Sequence, residues 1–118
     1  MDLDNAIHSH YEWKSKFKAA IAAQSKLDAS SIARDDCCEF GKWLHGDAGR
    51  LYSNKAEFMA LLAKHKTFHQ EAGKVAQAIN QGHYEEAAEM MANSTPFVTA
   101  SMAVGVAVNA LKRIAANV

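Results

Sequence analysis

The 118-residue sequence predicts an all-α fold, a four-helix-type bundle with an additional short helix that carries a cysteine. Three observations predict it. Apolar residues recur at three- and four-residue spacing through three long segments. The single proline, Pro96, stands where a helix would begin. Alternating runs rich in Val, Ile and Thr are missing outside the final segment.

The first helix is expected over about residues 2 to 26, where Leu3, Ala6, Ile7, Trp13, Phe17, Ala20 and Ile21 make one face. A polar linker, SKLDASSIARDD, leads to a short helical segment at 37 to 45, which "GDAG" ends. The longest helix carries Phe58, Leu61, Leu62, Phe68, Ala72, Val75, Ala76 and Ile79, with Ser53 or Asn54 as its cap and Gly82 at its close. HYEEAAEMMA forms another short helix. In the last helix Ser94 or Thr95 caps and Pro96 takes the first helical position. Its residues Phe97, Ser101, Val104, Val108 and Leu111 form one apolar stripe, and Val98, Met102 and Val106 a second. One stripe faces the core and the other needs a partner, so a homodimer through this C-terminal helix is expected, with a docked neighbouring module as the alternative.

The length suits one domain over residues 1–118. Thirteen basic and 13 acidic residues leave no net field to draw nucleic acid or an anionic membrane. The uncharged run 95 to 111 is 17 residues long and falls short of the roughly 20 strongly apolar residues of a membrane span. The N-terminus lacks an export signal, and adjacent Cys37 and Cys38 cannot close a useful disulfide loop, which points to free thiols in a reducing cytoplasm.

The informative anomaly is the placement of the histidines. His10 falls on the apolar face of the first helix, and His65 and His69, four residues apart, fall on the buried stripe of the longest. Each alone reads more often as a hydrogen-bonded core residue than as a ligand. Together they leave a tetrahedral site one donor short, and Cys38, at the start of the short helix, could supply it. Unpaired amides there would favour the thiolate, while Phe40, Gly41 and Trp43 would pin the segment. His8 belongs to the polar face, and His45 and His83 sit beside Gly46 and Gly82 at helix ends with no function assigned.

With His10-Tyr11-Glu12-Trp13, the run Cys38-Glu39-Phe40-Gly41-Lys42-Trp43-Leu44 and the pair His65 and His69 in this order, the sequence resembles the chemoreceptor zinc-binding domain family over about residues 5 to 112. The resemblance implies a three-histidine, one-cysteine Zn2+ site made by His10, Cys38, His65 and His69. It also implies a dimeric helical bundle and a non-enzymatic sensor of zinc or of an oxidant such as hypochlorous acid. Such a sensor controls chemotaxis or cyclic-di-GMP output through a chemoreceptor or diguanylate cyclase module. The sequence departs from the family pattern in carrying neither module and in having the extra thiol of Cys37. A hemerythrin-like di-iron oxygen-binding bundle is the rival, but it needs bridging carboxylates, and Glu12, Glu57 and Glu71 fall off the buried stripes.

Overall fold

The computed structural model describes residues 2–116, and among them it contains seven helices and no strand. They are α1 (Leu3–Ala23), α2 (Ala29–Ile32), α3 (Glu39–His45), α4 (Asp47–Tyr52), α5 (Ala56–Asn80), α6 (Tyr84–Met90) and α7 (Pro96–Ala116). The expected all-α bundle is the architecture found. Its long members are α1, α5 and α7, and the seven-residue α6 packs against α5 and α1. Helix α5 is central: α7, α2, α6 and α1 all pack against it. Phe17, Leu61, Phe68, Val75, Val104, Val108 and Leu111 are fully buried where the long helices meet.

Local chemistry sets most boundaries. Asp2 caps α1 by accepting from the Asn5 amide at 3.1 Å. Gly82, at φ 79°, turns the chain out of α5 in a conformation that a side chain would strain. Thr95 caps α7, its Oγ1 accepting from the Val98 amide at 3.4 Å, and Pro96 opens the helix as expected. Asn80 ties the α1–α2 connection to the end of α5, with its side chain accepting from the Leu27 amide and donating to the Leu27 carbonyl, both at 2.8 Å.

Three expectations are corrected. The polar linker holds a turn of helix, α2, because Asp28 accepts from the Ser31 amide at 3.3 Å and Ile32 buries itself at the other end. "GDAG" does not end the helical segment. Gly46 bends it, and Asp47 begins α4, which buries Ala48. Neither Ser53 nor Asn54 caps α5, whose N-cap is Lys55 without a side-chain hydrogen bond.

On α7 both apolar stripes are where the spacing put them. Phe97, Ser101, Val104, Val108 and Leu111 face inward, while Met102 and Val106 are exposed and Val98 is half-buried. The helix outlasts the uncharged run, and Pro96–Ile114 is long and apolar enough to cross a membrane by length and composition. Its inward stripe is nevertheless part of the bundle core against α5 and α1.

Candidate metal centre

Helix α1 supplies His10. Its position on the apolar face leaves the ring 4% exposed, and its Nδ1 lies 2.8 Å from the Ala6 carbonyl oxygen, one turn back. A carbonyl only accepts, so Nδ1 carries the proton and Nε2 the lone pair. That Nε2 is buried with no hydrogen-bond partner.

Helix α5 supplies the i, i+4 pair. His69 Nδ1 donates to the Ile32 carbonyl at 2.8 Å, which fixes its tautomer in the same way and presents its Nε2 lone pair to the interior. His65 Nε2 lies 3.0 Å from His69 Nε2, and its Nδ1 is buried without a partner. Buried polar atoms left this way cost about 1–3 kcal/mol each. The lone pair of His10 Nε2 is one that a cation could satisfy, whereas the orphan of His65 is not the nitrogen that meets Cys38 and His69.

Cys38 is the N-cap of α3, and its Sγ accepts from the Gly41 amide at 3.2 Å. This is the helix-start position the sequence pointed to. Gly41 has to be glycine: a Cβ there would come within 1.8 Å of the Asp35 carbonyl oxygen and 3.2 Å of His65 Cε1. Phe40 anchors the segment, set edge-on to His10 and to His65 at centroid distances of 5.5 and 5.2 Å and stacked with Trp43 at 5.9 Å. Phe68 closes the other side, 5.1 Å from the His10 ring and 5.3 Å from that of His69.

The four expected residues are therefore brought together. Cys38 Sγ is 3.5 Å from Nε2 of both His65 and His69, and one donor atom from each of His10, Cys38, His65 and His69 falls within 4.8 Å of every other. A tetrahedral ion with Zn–N of about 2.0–2.1 Å and Zn–S of about 2.3 Å would separate nitrogens by roughly 3.3 Å and nitrogen from sulfur by roughly 3.5 Å. The edges from sulfur to His65 and His69 match, the His65–His69 edge is slightly short, and His10 sits loosest. The donor set of three imidazoles and a thiol suits zinc, and the group could hold such an ion.

Burial keeps all four neutral in the absence of a cation. It pushes His65 down to about 2, helped by the neighbouring imidazoles of His69, His10 and His45. It pushes His10 down to about 4 against the opposing hydrogen bond to Ala6, and lowers His69 as well. Burial raises the Cys38 thiol, opposed by the amides of Gly41 and Phe40.

The remaining histidines are elsewhere. His8 is exposed and pairs with Glu12 at 2.8 Å. His83 lies 3.4 Å from Glu86. His45 reaches Asp35 at 3.1 Å, bracing α3 against the preceding loop rather than meeting a terminal carbonyl. Cys37 is exposed. The carboxylates a di-iron centre would need are absent from the cluster: Glu12 is with His8, Glu71 pairs with Lys74, and Glu57 is exposed. Sequence reasoning missed the carbonyls of Ala6 and Ile32 that orient two of the rings, because a main-chain acceptor leaves no signature in residue type.

Neither a curated protein nor a solved structure matches the chain. The model of the chemoreceptor zinc-binding domain matches residues 10–76, beginning at His10 and taking in Cys38, His65 and His69, while α6 and α7 lie beyond the matched segment. A match over more than half of the sequence, containing the whole His and Cys cluster, settles the family. The chain belongs to the chemoreceptor zinc-binding domain family.

Proposed function

We propose that His10, Cys38, His65 and His69 bind one Zn2+ ion and that the protein is a sensory domain of bacterial signal transduction, switched by zinc or by an oxidant acting on Cys38. What carries this reading is the convergence of Cys38 Sγ with two Nε2 atoms at 3.5 Å beside a buried, partnerless His10 Nε2. Four protein donors fill a tetrahedral shell and leave no open position for a catalytic water, so the role is regulatory and not enzymatic.

A bound zinc supplies positive charge that favours the thiolate form of Cys38 and a cross-link among three elements. The chain does the rest. Ala6 and Ile32 hold the His10 and His69 rings in the tautomers that keep Nε2 free. Gly41 lets α3 approach closely enough for Cys38 to reach the two α5 histidines. Helix α3 keeps Phe40 and Leu44 in the core, so releasing Cys38 removes the tie between its N-terminal end and the α5 histidines, and that end loosens first. Hypochlorous acid reaching the Cys38 thiolate takes two electrons from sulfur and gives the sulfenic acid with release of chloride. One donor is thereby lost, so metal and redox inputs act on the same movable piece.

The output is read by a chemoreceptor or diguanylate cyclase module in the cytoplasm, as chemotaxis or cyclic-di-GMP signalling. The chain pairs with a second copy through the outer stripe of α7, where Met102 and Val106 are 61% and 70% exposed. Elemental analysis of the purified protein tests the site: about one zinc per chain is expected, with weaker retention in Cys38→Ser. A parent that carries no zinc after growth in zinc-replete medium contradicts it.

A further inference from the structure

The four donor atoms are not equally reachable. His65 and His69 are 0% and 2% exposed and line neither of the two cavities that touch the cluster. Cys38 is half-buried, and together with His10 it lines a cleft of about 470 Å³ between the first turns of α1 and the start of α3. The rim of the cleft carries Asp2, Asn5, Ser9 and Glu39. A second cavity, of about 180 Å³, lies between α1 and α7 and also touches His10, but it reaches no other donor of the cluster. Its walls are mainly apolar, with Phe97, Val98 and Met102, and the charged residue among them is Lys14.

We infer that the cleft between α1 and α3 is the entrance by which a divalent cation reaches the four donor atoms. The inference rests on the zinc reading above and adds the route. An arriving cation is hydrated, and its waters have to be replaced in steps. The rim offers carboxylate, amide and hydroxyl oxygens for the first steps, and Cys38 and His10 line the same cleft, with the His10 Nε2 buried and partnerless behind its surface. One cation of the protein is also on this rim, Lys16, held 4.6 Å over the Trp13 ring at the side of the cleft. Glu39 is the first residue of α3, so the rim includes the segment that loosens when Cys38 is released, and entry and release use one opening.

The test is stopped-flow uptake of Co2+ by the full, metal-stripped chain, followed by the sulfur-to-cobalt absorption band. Ser9→Trp and Asn5→Trp place a large ring on the rim at exposed positions of α1, where helicity by circular dichroism is expected to stay at the parent's value. Lys14→Trp makes the same change at the mouth of the smaller cavity. Both rim variants are expected to load about tenfold more slowly than the parent and reach the same final absorbance, while Lys14→Trp loads at the parent's rate. Rim variants that load as fast as the parent, or a delay confined to Lys14→Trp, would overturn the entrance and leave the zinc reading standing. A parent that develops no cobalt–sulfur band would overturn the zinc reading, and the entrance with it.

Discussion

His69 donates through Nδ1 to the main-chain carbonyl of Ile32 across 2.8 Å, so the last residue of α2 sets which nitrogen of a central α5 histidine faces the cluster. The contact exists because α2 lies almost on the α5 backbone: a Cβ on Gly73 would stand 2.6 Å from that of Ala33. A four-residue helix that the composition hid as a linker is thus a structural part of the site.

Gly73→Leu should push α2 away from α5 and take the Ile32 carbonyl with it. Outer-shell losses of this kind weaken metal binding by about 10–100-fold. Competition against a chelator of known strength measures it, and an unchanged zinc affinity would show that His69 needs no help from α2.

Gly41→Ala forces its new methyl onto the Asp35 carbonyl, which is backbone and yields little. Overpacking costs about 1–3 kcal/mol, and α3 should relieve it by moving Cys38 away from His65 and His69. Denaturant unfolding of the metal-free protein gives the first effect, and the intensity of the cobalt–sulfur band gives the second.

His65→Leu separates a ligand histidine from a core histidine. The imidazole is fully buried with Nδ1 unpartnered, so an apolar side chain of similar bulk removes an uncompensated polar atom. The metal-free variant is expected to be more stable than the metal-free parent by about 1–3 kcal/mol while losing zinc. A variant less stable than the parent in the absence of metal would mean that the ring is satisfied in the fold.

Acid should unfold the metal-free protein early. His10 and His65 are held at about 4 and about 2, below the 6.5 of an unfolded histidine, so below pH 6.5 the unfolded chain binds more protons than the folded one. Stability is complete above pH 6.5 and falls as the pH drops, at up to about 1.4 kcal/mol per pH unit for each histidine. Urea titrations at pH 7.5 and 5 check the slope, and equal midpoints would contradict the burial of neutral rings.

Val106→Glu puts a charge on an apolar side chain of α7 that is 70% exposed. Sedimentation at micromolar concentration should find the parent as a dimer and the variant as a monomer. A monomeric parent would remove the outer stripe's assigned role.

The long helices and the His and Cys cluster were legible in the sequence for one physical reason. Burial at helical spacing writes a periodic pattern, and His10, His65 and His69 interrupt that pattern with polar rings on the face that should be apolar. Cys38 was legible from its place ahead of Phe40, Gly41 and Trp43. What stayed hidden depends on a few contacts. Ile32 with Ala29 beside it makes α2 worth burying, Ala48 with Tyr52 does so for α4, and the carbonyls of Ala6 and Ile32 are main-chain groups that every residue possesses. His45 was read at a helix end, and only the fold brings Asp35, ten residues earlier, to within 3.1 Å of it.

Zinc K-edge X-ray absorption on the purified protein tests the central claim most directly. Three nitrogen scatterers at about 2.0–2.1 Å and one sulfur at about 2.3 Å are expected, with the sulfur shell lost in Cys38→Ser and kept in Cys37→Ser. A spectrum without sulfur in the parent, or one whose sulfur shell disappears with Cys37 and survives loss of Cys38, would contradict the site described here.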